Sequence, residues 1–92
     1  MPQFVTRIEL HEADESDYKK LHEEMGKRFF DRTIVGDDGH TYELPSATYS
    51  IITSRPLEQV RDIAIEAAAK TNKEAWVLTM GGEAAWLLHP IA

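Results

Sequence analysis

Apolar and polar positions change their period several times along this chain. Phe4, Thr6, Ile8 and Leu10 point one way while Arg7 and Glu9 point the other, the two-residue repeat of a strand with one covered face. His11 and Glu12 close that strand. Asp14 or Ser16 can then cap a helix, because either side-chain oxygen can accept from a free first-turn amide. Tyr18, Leu21, Met25 and Phe29 follow at helical spacing, an apolar stripe. Asp14, Glu15 and Asp17 stand at its start and Lys27 and Arg28 at its end, the order that the helix dipole favours. The pattern predicts a helix over residues 14–29.

Thr33-Ile34-Val35 predicts a short strand, and Gly36-Asp37-Asp38-Gly39 a reversal. Thr41 to Leu44 returns briefly before Pro45, which has no amide to give a ladder. Residues 47–53 form the better strand, with Tyr49 and Ile51 on one face and Ile52 on the other. Ser54 and Pro56 signal a second helix. Leu57, Val60, Ile63, Ala64, Ala67 and Ala68 are its expected buried side, and Asn72 its stop. Residues 75–80 are the last strong strand. The order predicts an α+β fold, a ferredoxin-like βαββαβ sandwich. Its single four-stranded antiparallel sheet would carry two helices on one face and leave the reverse face open. Residues 81–92 form an apolar tail with Trp86, expected either to fold back as an edge strand or to pack on a neighbouring subunit.

Ninety-two residues make one domain, 1–92, small enough that self-association would add core, so a homodimer is expected. The chain has no cysteine, which removes disulfides, thiolate nucleophiles and zinc–thiolate sites. A formal charge of −6 argues against indiscriminate nucleic-acid binding, and no DNA partner is expected. Lys19, Lys20, Lys27, Arg28 and Arg32 cluster in sequence, but with Asp17, Glu23, Glu24 and Asp31 among them. No basic-then-apolar leader opens the sequence and no apolar stretch is long enough to span a bilayer. The expectation is a soluble cytoplasmic protein without a membrane partner.

Tyr18-x-x-Leu21-His22-x-x-Met25, the Phe29-Phe30 pair, the Gly-Asp-Asp-Gly turn and Tyr42-x-Leu44-Pro45-x-x-x-Tyr49 resemble the GhoS-type antitoxins of type V toxin–antitoxin systems. The resemblance covers roughly residues 4–80. It implies a ferredoxin-like domain similar to the CRISPR-associated Cas2 proteins, and cleavage of the messenger RNA of a small membrane-damaging toxin. The Cas2 relatives carry an aspartate near the end of strand one; Leu10-His11-Glu12-Ala13-Asp14 has none within the strand end, and Asp14 reads as a helix cap.

RNA cleavage requires activating an oxygen nucleophile, protonating the leaving oxygen and stabilising charge on phosphorus. His22, bordering the apolar stripe, is the candidate acid or base; the alternative is a partly buried histidine bonded to a neighbour. Arg28 is the candidate phosphate holder, and otherwise a surface cation. Tyr49, if on the open sheet face, offers a ring for a base, with Lys19 and Lys20 as further RNA contacts; otherwise it packs in the core. No histidine pair has metal-ligand spacing and no third ligand is evident, so neither metal nor cofactor is expected. The competing reading is a non-catalytic binding or regulatory module acting as a homodimer.

Overall fold

The computed structural model describes residues 1–91. The elements are β1 (Gln3–Leu10), α1 (Glu15–Lys27), β2 (Thr33–Val35), β3 (Thr41–Glu43), β4 (Thr48–Ile52), α2 (Leu57–Ala69) and β5 (Ala75–Gly81). The fold is α+β. Its order is not simply βαββαβ but remains broadly ferredoxin-like, with two helices and a mostly antiparallel sheet.

β1 is the middle of a three-stranded sheet, antiparallel to β4 on one side and to β5 on the other. Its alternation decides what lies where. Phe4, Thr6, Ile8 and Leu10 are buried beneath the helices, with Leu21 and Met25 of α1 and Val60, Ala64, Ala67 and Ala68 of α2 in one apolar cluster. The alanines let α2 lie close to β5 and β1, as expected. Leu57, expected in that face, is instead 42% exposed at the first turn.

The four-stranded sheet is a correction. β2 pairs with β3 as a separate two-stranded hairpin. It touches the main sheet through Asp31 and Ser50, which exchange two backbone hydrogen bonds of 2.8 Å. Ser50 Oγ adds a bond to the Thr33 carbonyl at 2.6 Å. Beyond that point the chain turns to β3, because the Gly36–Gly39 reversal offers a closer ladder. Gly36 suits this turn: a Cβ there would lie 2.9 Å from Asp38 Oδ1 and 3.1 Å from the Tyr42 ring.

The start of α1 follows the sequence. Asp14 accepts from the Asp17 amide at 3.1 Å, and the Asp17 carboxylate accepts from the Asp14 amide at 3.0 Å, a reciprocal cap. Its end does not follow. The helix stops at Lys27, the Phe29 amide donates to Gly26 O and the Phe30 amide to Met25 O, both at 3.1 Å. This is a Schellman closure with Phe29 at the position usually held by glycine, at φ +71°. Phe29, expected in the apolar stripe, therefore points outward at 82% exposure, and Phe30 enters the core in its place.

The tail folds back on its own chain. Trp86 meets the Tyr42 ring edge-on with centroids 5.6 Å apart. The Ile91 amide donates to Thr41 O at 2.8 Å and the Glu43 amide to His89 O at 3.3 Å. Among the described residues no helix is long and apolar enough to cross a membrane.

Candidate active site

His22 stands on the third turn of α1, beside the apolar stripe, where the helix crosses the β4 side of the sheet. Its Nδ1 lies 2.6 Å from the Tyr49 hydroxyl. Tyr49 is fully buried. Its alternation with Ser50 and Ile52 sends it toward the helices, so its ring is enclosed and only the hydroxyl reaches the site edge. That corrects its expected place: the ring is not offered to a base on the reverse face, which β4 lines with the opposite set of side chains.

Burial, then the positive charge of Arg32, holds the His22 imidazole below its ordinary value of 6.5. It is therefore neutral at physiological pH. Burial pushes the Tyr49 phenol up, against an opposing pull from Arg32, so the phenol keeps its proton. A neutral imidazole has one donor and one acceptor nitrogen, and a phenol can serve as either. The Tyr49 contact thus fixes the ring's orientation and occupies Nδ1. Nε2 has no hydrogen-bond partner among the described residues.

His22 borders a shallow cleft of about 620 Å³ with Ala13, Asp14, Glu15, Tyr18, Lys19 and Ser46. The Tyr18 hydroxyl is held at the end of β1 by the Leu10 amide at 3.0 Å, which fixes one wall. Lys19 makes no ion pair among the described residues. The cleft thus sets a neutral, oriented imidazole beside the Lys19 ammonium, with the Asp14 and Glu15 carboxylates on the same lining, Asp14 being engaged in the helix cap. An imidazole beside an ammonium can serve acid–base chemistry on a substrate whose reacting group gains negative charge.

The family model described as endoribonuclease GhoS matches residues 1–86 of the chain. The chain belongs to the GhoS family. No individually curated protein matches it. The matched span contains every residue of the cleft, Tyr49 and Arg32, and stops at Trp86, before the last hydrogen bonds of the tail.

Within this GhoS-family domain the residues singled out in the sequence separate. Arg28 lies six positions after His22, which on a helix is about 120° around the axis and about 9 Å along it. Its guanidinium points to carboxylates: Nη1 donates to Glu24 Oε1 at 3.0 Å and to the Glu24 carbonyl at 2.9 Å, and Nη2 to Glu66 at 3.2 Å. Those partners raise its pKa further and join α1 to α2. Lys20 is drawn to Glu24 at 3.3 Å, and Lys27 to the same carboxylate at 3.0 Å. Hydrogen bonds from Lys27 and Arg28, outweighing desolvation, hold Glu24 at about 2. Of the expected set, His22, Lys19 and Tyr49 converge; Arg28 and Lys20 belong to the carboxylate cluster. Sequence reading missed Arg32, whose relation to His22 depends on the turn through Phe29 and Phe30. Among the described residues no group of three His, Asp or Glu side chains is placed to hold a metal ion.

Proposed function

We propose that this GhoS-family protein cleaves RNA by acid–base chemistry at His22, as an antitoxin acting on a toxin message. The observation that carries the reading is the neutral His22 ring, oriented by Tyr49 through Nδ1, beside Lys19 in an open cleft. In the tautomer that donates Nδ1–H to the Tyr49 oxygen, Nε2 carries the lone pair. Nε2 takes the proton of a ribose 2′-hydroxyl, that oxygen attacks the adjacent phosphorus, and the bond to the 5′-oxygen breaks. The leaving oxygen takes a proton from solvent in the cleft, and a 2′,3′-cyclic phosphate remains. Lys19 offsets the charge that grows on the phosphoryl oxygens.

The test compares wild-type protein with His22→Gln and Lys19→Ala on transcripts that include a toxin message. Products should end in cyclic phosphates. Cleavage should fall at least about a hundredfold in His22→Gln, the usual scale of a lost general base. Because His22 sits below 6.5, the rate should rise with pH through a midpoint under that value and level off near neutrality. Undiminished cleavage by His22→Gln would refute the role assigned to this ring.

A homodimer is part of the proposal. Trp76, Leu78 and Met80 of β5 are exposed on the sheet's reverse face, alongside Arg7 and Glu9 of β1. Two copies related by a twofold axis can set Arg7 against Glu9 on both sides of that stripe. Leu78→Lys should shift sedimentation toward the monomer; a wild-type protein that stays monomeric at high concentration removes the dimer.

A further inference from the structure

Phe29 adopts a left-handed backbone angle, φ +71°, at a helix end where glycine or asparagine would sit without strain. A side chain there is expected to recover its cost by packing, yet this ring is 82% exposed. Strain combined with exposure points away from folding and toward use. The ring flanks a hollow of about 420 Å³ that Ile51, Ile52, Ile63, Lys27, Arg28 and Arg55 also line. Its lining includes three cations and no acid in a chain of charge −6. Lys27 and Arg28 share Glu24, and Arg28 also meets Glu66. Arg55 makes no ion pair among the described residues.

The hollow lies at the C-terminal end of the helix that carries His22, beyond its closure at Lys27. It shares β4 with the cleft: Ile51 and Ile52 line the hollow, and Tyr49 of the same strand holds His22. An aromatic face with cations beside it is how single strands are held without regard to sequence.

We infer that Phe29 is a stacking platform for a base of the single-stranded RNA whose phosphate His22 engages, with Arg55 meeting the backbone beside it. The inference rests on the reading above that RNA is the substrate. It makes the strained phenylalanine a binding element whose removal helps the fold and harms the complex.

The probe is a fluorescein-labelled, mixed-sequence single-stranded RNA of about twelve nucleotides, titrated by anisotropy at fixed salt. Phe29→Gly suits the backbone angle, so its folding is secure. It should bind about tenfold more weakly, the scale of one lost base stack. Phe29→Trp should bind at least as tightly as wild type. Arg55→Ala should weaken binding and lessen its dependence on salt. Equal affinity of wild type and Phe29→Gly, with cleavage still dependent on His22, overturns the platform and leaves the nuclease reading standing. A wild-type protein that neither binds nor cuts RNA overturns both.

Discussion

Tyr49→Phe isolates the contact on which the cleft depends. The ring is fully buried, so the substitution keeps its shape and removes only the hydroxyl that lies 2.6 Å from His22 Nδ1. One intramolecular hydrogen bond contributes about 1 kcal/mol net. His22 is only half-buried, so water can reach Nδ1 and keep the loss near that figure. At about 2.1 cal/mol/K per residue, 92 residues carry an unfolding entropy of about 0.19 kcal/mol/K, so the midpoint should fall about 5 °C. Urea unfolding should show the same loss with an unchanged slope. Activity should fall further than stability. An imidazole released from its orienting partner samples other rotamers, and displacements of about 1 Å cost about a hundredfold. Val60→Ala is the control. It removes two methyl groups from a fully buried position, which should cost about 2 kcal/mol while RNA cleavage by the folded fraction stays at its wild-type rate. Tyr49→Phe protein with full activity, or with losses no different from those of the control, would refute the view that this hydroxyl sets the ring.

Three further outcomes follow from named contacts. Phe29→Gly should stabilise the fold by roughly 0.5–1 kcal/mol, since relief of the left-handed angle outweighs the added chain entropy of glycine; denaturant midpoints will read it, and a loss would mean that the ring packs. Glu24 is held at about 2 against an ordinary 4.5, so its contribution is whole above about pH 4.5 and drains away as pH falls toward 2. Acid unfolding of Glu24→Gln should therefore be shallower than that of wild type over that window. Gly36→Ala drives a methyl group into Asp38 and the Tyr42 ring; faster amide exchange confined to β2, β3 and the tail should report the loosened hairpin.

How far the sequence could be read depended on which physical rule was local. The alternation of β1 and the Asp14 cap are local and came out as expected. The end of α1 is not local: the stripe through Tyr18, Leu21 and Met25 runs on to Phe29 by count, but closure at Gly26 and Met25 turned Phe29 out and Phe30 in. The register of Tyr49 with Ile51 was legible, whereas the face that the helices would cover was not, and that choice buried the ring. Arg28 shared a helix with His22, yet six positions turn it toward Glu24 and Glu66. Arg32 became a neighbour of the ring only through the turn after α1, which no periodicity encodes.

The placement of β1 between β4 and β5 has a consequence for how the molecule comes to be made. Leu10 pairs with Ala75, so the first strand and its last partner are separated by sixty-five positions (75 − 10). While the ribosome is still adding residues before Ala75, one flank of that first strand has nothing to bind. The nascent chain therefore matures only after β5 has left the exit tunnel, and a message cut short upstream of it yields a polypeptide with an uncovered, aggregation-prone border.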